Sequence, residues 1–397
     1  MAPGPGTVSR RRAIVAIAIG AVMIDATLLG LIAPLLPTIE ERTGAGPDAL
    51  GVTLAAYAVP IAALSLPLGR IADRLGRRLL LAVGLMVVGA GSGLIAASDS
   101  LALLVAARAV QGVGSAASWI AALALVSDTA PPGKRGEALG VAIGATGVGS
   151  IAGPALGGVA ADVVSFEAPF LICCGAAVGL SVAALVLLPR DPKRSSIALP
   201  ALATIRHVLR ASIGRWASAI ILVSALVLGV VEVVAPLDLD DRLGLSSAAI
   251  GLLFAGSIAV DAGIAPLGGR WGDRRGRLVP ARAGLAITAL SALLLAALPG
   301  VAGTAIALGI YGAGFSLCFA AAVPMLDESF DEAERGLAYG FQNVLYAGGY
   351  ALGPIAGGLL LDVASAKVVY VGTAAAVVGA TIALLVGDRS KTPTERM

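Results

Sequence analysis

The chain has a single histidine, His207, and it lies in a basic connecting segment rather than in an apolar run. That leaves no material for a histidine metal site or a histidine proton relay inside an apolar core. Cysteine is almost as scarce. Cys173 and Cys174 are adjacent and apolar-flanked, Cys318 lies in another apolar run, and no disulfide is expected. Charge is thin too: Asp, Glu, Lys and Arg make up 13% of the residues, against roughly 25% in a soluble domain. No nucleophile–base set and no metal-ligand cluster is visible, so neither an enzyme nor a metal cofactor is expected.

What the chain has is apolar length. It is 58% hydrophobic over 397 residues, with a mean hydropathy of +0.93. A spanning helix needs about 20 apolar residues. Runs at 13–37, 49–69, 79–97, 101–126, 137–161, 168–189, 216–237, 248–269, 279–298, 302–326, 336–361 and 367–387 predict an all-α membrane protein with twelve transmembrane helices. The first run follows Arg10, Arg11 and Arg12 and is too long for a signal peptide, so it reads as an uncleaved helix. The 52 glycines suit helices whose backbones approach closely in lipid.

An even number of spans puts both termini on one side. All Lys and Arg except Arg42, Arg108, Arg242 and Lys367 then fall on that side, which assigns it to the cytoplasm by the positive-inside rule. The basic segments are therefore topology signals, and nucleic acid is not an expected partner. The longest polar connection divides the spans six and six. The expected organisation is residues 1–189 as one six-helix half, 190–215 as a cytoplasmic linker and 216–397 as the second half.

The halves repeat. Gly69-Arg70-Ile71-Ala72-Asp73-Arg74-Leu75-Gly76-Arg77 returns 200 residues later as Gly269-Arg270-Trp271-Gly272-Asp273-Arg274-Arg275-Gly276-Arg277. At the same offset Gly112-x-Gly114 returns as Gly312-x-Gly314, Arg135-Gly136 as Arg335-Gly336, and Gly153-Pro154-x2-Gly157-Gly158 as Gly353-Pro354-x2-Gly357-Gly358. A parallel repeat of this kind is a transporter architecture with a site between pseudo-symmetric halves.

These motifs resemble those of the major facilitator superfamily over essentially the whole chain. Gly69–Arg78 is similar to that family's loop between spans two and three, and Arg108-Ala109-Val110-Gln111-Gly112-Val113-Gly114 to its span-four motif. Gly149–Gly158 resembles the span-five motif associated with proton-driven antiporters, which implies the drug:proton antiporter branch. Within it, Ile24–Leu29 with Pro34–Pro37, the Glu232…Pro236 stretch and Gly349–Pro354 resemble the vesicular amine transporters. The likeness breaks at two places. Those transporters pair a lysine in span two with an aspartate in span eleven, where this chain has Ala58 and Asn343. Their span-ten aspartate falls near Cys318 or Phe319.

Several residues stand out as a candidate substrate and proton site. Asp25 lies at the middle of the first span, where a charge costs roughly 2.5–3.5 kcal/mol on insertion scales. That suits proton loading; a protonated acid bonded to a neighbouring helix is the alternative. Glu232 precedes Pro236 by four residues, and Asp261 precedes Pro266 by five; each could be a proton site, or else an interface acid and a gate bond respectively. Arg108 is the one basic residue inside a span, and helical spacing aligns it with Gln111, Ser115 and Ser118 or Trp119. Tyr339, Asn343, Tyr346 and Tyr350 share one face of span eleven, which suits an organic cation or ordinary packing.

The doublet reads as a pair of conformational latches. Gly69, Gly76 and Gly269 allow tight turns, Asp73 and Asp273 can meet a helix N-terminus, and Arg74, Arg77, Arg274 and Arg277 can pair with Asp128 and Asp327. A plain topology anchor is the alternative. Gly149, Gly153, Pro154, Gly157, Gly353, Pro354 and Gly357 are expected to be hinge and packing positions. The expected function is proton-coupled efflux of small amphipathic molecules, organic cations or drugs, by a monomer in the bacterial inner membrane, with the proton as coupling ion and no other cofactor. The rivals are a proton-coupled importer of a sugar, organic acid or other metabolite, and a non-transporting sensor or scaffold.

Overall fold

A computed structural model describes residues 5–130, 134–189, 201–330 and 335–389, apart from the side chains of 5–10, 69–70, 73–74, 135–136, 201–203, 335–336 and 384–389. Among the described residues the chain is all helical. Its elements are α1 (Pro5–Leu31), a 3-10 turn (Ala33–Leu35), α2 (Leu36–Thr43), α3 (Pro47–Leu75), α4 (Arg77–Ala96), α5 (Leu101–Thr129), α6 (Arg135–Val163), α7 (Ala168–Leu187), α8 (Ala201–Arg210), α9 (Ser212–Leu243), α10 (Ser247–Arg275), α11 (Leu278–Ala297), α12 (Gly300–Asp327), α13 (Arg335–Val363) and α14 (Ala366–Arg389). Twelve segments are long and apolar enough to cross a membrane, α1 and α2 together forming the first.

Several boundaries differ from the sequence reading. Helices α3 and α10 run on to Leu75 and Arg275, so Gly69 and Gly269 are helical and not at turns, which fall at Gly76 and Gly276. The first run does not stop at 37. It breaks around Pro34, which lacks an N–H for the helical ladder, and resumes as α2 to Thr43. The stretch expected to be linker carries α8 in its second part, and α9 starts four residues early, at Ser212. Ala211, extended with ψ 136°, makes the corner between them. Residues 190–200 lie outside the described residues.

Local chemistry sets the other ends. Ser100 and Ser246 cap α5 and α10, each hydroxyl accepting an orphan backbone N–H, from Leu103 at 3.3 Å and Ala249 at 3.4 Å. Between α3 and α4, and between α10 and α11, the chain turns on Gly76 (φ 87°) and Gly276 (φ 86°). That backbone region is strained for any residue with a Cβ, so the glycine of each repeated loop is required by its turn.

The helices pack in two matching sets. In the N-terminal set α1 touches α5, α6 and α7, and α4 touches α5 and α7; in the C-terminal set α9 touches α12, α13 and α14, and α11 touches α12 and α14. The sets meet where α3 lies on α13 and α10 lies on α6. At the face away from the termini these crossings run backbone to backbone. A Cβ on Gly51 would collide with the Pro354 carbonyl oxygen, and one on Gly251 with that of Pro154; Gly158 and Gly358 press likewise on Ser247 and Pro47. Two polar contacts add to this far-face seal: the Ala248 N–H donates to Asp162 Oδ2 at 2.9 Å, and the hydroxyls of Thr38 and Ser247 lie 3.3 Å apart.

Candidate functional site

Asp25 comes from the middle of α1 and is half-buried. The Tyr57 hydroxyl of α3 donates to its Oδ1 at 2.7 Å, and the Ser115 hydroxyl of α5 donates to the same oxygen. Two turns back along α5, Arg108 is completely buried. Its Nη1 donates to the Leu28 carbonyl at 3.2 Å and to Gln111 Oε1 at 3.0 Å, and Gln111 Nε2 passes the chain on to Ser92 Oγ at 2.9 Å. The guanidinium carbon sits 4.4 Å above the Tyr57 ring, a cation–π geometry.

Arg108 is not fully satisfied. Its Nε and Nη2 are buried with no hydrogen-bond partner. It lies within electrostatic reach of Glu232 and Asp25 but, among the described residues, forms an ion pair with neither. Each orphaned donor costs on the order of 1–3 kcal/mol. Nε and Nη2 form the side of the guanidinium that grips a carboxylate with two parallel bonds, and here that fork is empty.

The C-terminal helices supply the opposite wall. Glu232 of α9 is sealed at 5% exposure and accepts a hydrogen bond from the Tyr350 hydroxyl of α13. From Tyr350 an aromatic run leads away: Tyr346 at 6.3 Å between ring centroids, then Phe319 at 5.7 Å, Phe315 stacked on Phe319 at 4.5 Å, and Tyr311 at 6.2 Å. Tyr346 lies within electrostatic reach of Glu232, Asp261 and Asp25. Asp261 of α10 is half-buried; Ser316 donates to its backbone carbonyl at 2.8 Å.

The repeat shows how the walls diverged. At the 200-residue offset Asp25 corresponds to Ala225, Tyr57 to Ser257, Arg108 to Leu308, Gln111 to Tyr311, Ser115 to Phe315 and Trp119 to Phe319. One frame carries a charged, hydrogen-bonding stripe in α5 and an aromatic stripe in α12. Tyr57, Ser92, Tyr311, Phe315 and Phe319 were not among the residues singled out from sequence. The spacing of four between Tyr311, Phe315 and Phe319 was a readable signal; Tyr57 and Ser92 carried none.

The other sequence-selected residues fall into three groups. Trp119 is half-buried against the apolar cluster of the N-terminal helices, and Tyr339 is 37% exposed, so neither shares a hydrogen bond with Asp25 or Glu232. Asn343 bridges the halves, its Nδ2 donating to Ser65 Oγ at 2.8 Å. The glycines of α6 and α13 do pack closely: Gly149, Gly153 and Gly157 lie on the backbone of α1 at Met23, Thr27 and Leu31, while Gly353 and Gly357 lie on α9 at Leu226 and Val230.

In the loops, Arg77 pairs with Asp128 and also donates to the Ala124 carbonyl at 3.0 Å. In the second half the expected partner is corrected. Arg277 pairs with Asp273 at 2.7 Å and with Glu328 at 3.4 Å, not with Asp327, whose Oδ1 is buried without a hydrogen-bond partner. Asp327 ends α12 while Glu328 sits at its C-cap, one step round the helix and nearer the loop. Arg274 is exposed, and Gly269 has open space beside it. The side-chain positions of Gly69, Asp73 and Arg74 lie outside the described residues.

Comparison with known proteins agrees with this two-part frame. The Major Facilitator Superfamily model matches twice, at residues 16–223 and 217–396. Multidrug resistance protein 1 of Bacillus subtilis (strain 168) is 25% identical over 338 residues, covering 84% of this chain and 86% of that protein. The MFS-type transporter ppzB of Metarhizium rileyi is 33% identical over 169 residues, 41% of this chain; the chain spans only 35% of that relative's length. The fold matches the crystal structure of a bacterial homolog to the human lysosomal transporter Spinster, in an inward-facing and occupied conformation, with a TM-score of 0.82 at 16% identity over 98% of both chains. The chain belongs to the Major Facilitator Superfamily, whose members are transporters and not enzymes.

Proposed function

We propose that the chain is a proton-coupled antiporter that exports small amphipathic molecules, organic cations above all. The observation that carries this reading is a pair of carboxylates within the spans of opposite halves, Asp25 half-buried and Glu232 sealed, with Arg108 in electrostatic reach of both and, among the described residues, paired to neither. A cation and a proton compete for the same carboxylate. Proton uptake at Asp25 or Glu232 from the outside expels the cation, and proton loss inside readmits it. The aromatic run from Tyr350 to Tyr311 offers π faces beside the acids. One-for-one exchange of a proton for a monovalent cation moves no net charge and is driven by the pH gradient; each additional proton adds roughly 2.3 kcal/mol per 100 mV of membrane potential. The multidrug-resistance relative supports a drug-exporting branch; the resemblance to vesicular amine transporters, broken at Ala58, Asn343 and near Cys318 or Phe319, names no particular amine. In this reading the protein works as a monomer in a bacterial inner membrane, termini in the cytoplasm, with the proton as its coupling ion.

A second reading rests on one observation. The empty Nε–Nη2 fork of Arg108 fits a carboxylate-bearing substrate, as a proton-coupled importer would carry. Reconstitution in liposomes under an imposed pH gradient separates the two. For antiport, cation accumulation in inside-out vesicles alkalinises the lumen, and Asp25→Asn or Glu232→Gln abolishes the coupling. Uptake in which substrate and proton move together supports the importer. Unaltered pH-driven transport in both variants overturns the assignment of these carboxylates.

A further inference from the structure

The linker helix α8 and the membrane-side groove next to it form a second site, separate from the carboxylates. From Pro192 to Val231 the sequence holds no acidic residue. Arg206 and Arg210, one helical turn apart on α8, are exposed, as is Arg215 in the first turn of α9. Among the described residues none of the three forms an ion pair. Arg215 Nη1 instead donates to the Arg210 carbonyl at 3.1 Å, which ties the corner and holds the basic groups together. The helix is anchored by its apolar side: Val208 is buried, its backbone and side chain against Gly214, and Ile205 packs on the same cluster as Trp216.

Just beyond the corner an apolar groove of about 210 Å³ opens between α9, α11 and α14, lined by Trp216, Val223, Leu285, Ala380 and Ala383 among others. Every lining helix enters the candidate membrane region at this end, within a few residues of its start or finish. Basic side chains at the interface thus sit above a slot that presents carbon to the bilayer. A Trp at that level is an interfacial anchor, and basic residues flanking a spanning helix recognise anionic lipid headgroups.

We propose that this site holds an anionic phospholipid, its phosphate against Arg206, Arg210 and Arg215 and an acyl chain in the Trp216–Ala383 groove. The occupant is a lipid rather than a free phosphate because the groove is apolar and its lining begins at Trp216, the residue next to Arg215 in the first turn of α9. Occupancy ties α8, and with it the connection between the halves, to the α9–α11–α14 face. Each basic group near an anionic surface contributes about fivefold in affinity.

The test is native mass spectrometry of the full chain released from nanodiscs containing equal phosphatidylglycerol and phosphatidylcholine. Retention of phosphatidylglycerol in preference to phosphatidylcholine is expected. The Arg206→Gln/Arg210→Gln/Arg215→Gln variant should reduce that preference at least about tenfold, and the groove-filling variant Ala380→Phe should reduce retention with the arginines intact. Equal retention of both lipids, or a preference unchanged in the triple variant, overturns the proposal. So does equal binding of soluble glycerol 3-phosphate, which would make the corner a simple anion site. Circular dichroism and the ion count of the intact chain report whether each variant is folded.

Discussion

Adding one methyl group at Gly51 tests how the far face closes. A Cβ there meets the Pro354 carbonyl oxygen and carbon, with the Ile355 Cα 3.4 Å away. Backbone atoms cannot rotate aside as a side chain can, so α3 and α13 must separate. Overpacking of a close-packed contact costs about 1–3 kcal/mol, and here the cost falls on the far-closed state alone. At 1.4 kcal/mol per factor of ten, the closed population loses roughly 5- to 150-fold relative to a state in which these ends part. Gly251→Ala, against the Pro154 carbonyl, should act the same way. Gly144→Ala and Gly256→Ala are the controls, since a Cβ at either meets nothing within 4 Å. The reporter is Thr38→Cys, half-buried against Ser247 across the seam, in a background with Cys173, Cys174 and Cys318 replaced by Ala. Maleimide labelling of the purified protein in nanodiscs should accelerate several-fold or more in the Gly51 and Gly251 variants and stay within about twofold in the controls. Equal labelling rates in all four would refute the claim that backbone contact seals this face.

Two further outcomes follow from particular contacts. Tyr350→Phe removes the one hydroxyl that serves the sealed Glu232, a loss of about 1–3 kcal/mol for a hydrogen bond to an acid; Glu232→Gln combined with Tyr350→Phe should then cost less than the sum of the single variants in thermal unfolding, and strict additivity would dissolve the pairing. At the far face Arg42 donates to Glu167 at 2.9 Å, and this hydrogen bond holds the Glu167 carboxyl below its ordinary 4.5. A lowered acid stabilises the fold above pH 4.5 and loses that contribution as pH falls through the folded value, so Arg42→Gln should lower Tm slightly at pH 7 and by less once the acid is protonated, the stacking of Arg42 on Phe166 being lost at either pH. The effect is small because both side chains are about one-third exposed.

The parts of the fold that were legible in the sequence are those where backbone geometry leaves one residue type no substitute. Gly76 and Gly276 repeat because each turn needs a positive φ, and Gly153 and Gly353 repeat because a carbonyl oxygen occupies the place of a Cβ. The buried charges were legible for a different reason: Asp25 and Arg108 are conspicuous against apolar neighbours. Of their supporting groups, Gln111 and Ser115 were legible by helical spacing, and the rest were not. Tyr57 and Ser92 sit in runs where a neutral polar residue is unremarkable, and what makes them notable is a partner on another helix, 32 and 19 residues away. The Asp327–Glu328 exchange reflects the limit of counting along a helix end, where one residue turns a side chain from the buried side to the loop. Helix α8 was hidden by its setting, a short basic stretch between prolines and a long apolar run.

The four glycine crossings at the far face have a consequence for the symmetry of the chain. Gly51 on Pro354 and Gly251 on Pro154 exchange places under the 200-residue shift, as do Gly158 on Ser247 and Gly358 on Pro47. Residue i of one half touches residue j of the other, and j touches i in return, which is the rule for an isologous interface between two copies of one subunit. The seam has the contact pattern of a two-fold dimer, carried here by the two halves of one chain. The seam keeps this self-complementarity although each side is encoded separately, because at all four crossings backbone atoms leave no room for a Cβ. The interior is under no such constraint, so one half carries Arg108 and the other Glu232, a charge arrangement that a true homodimer, with every residue present twice, could not hold.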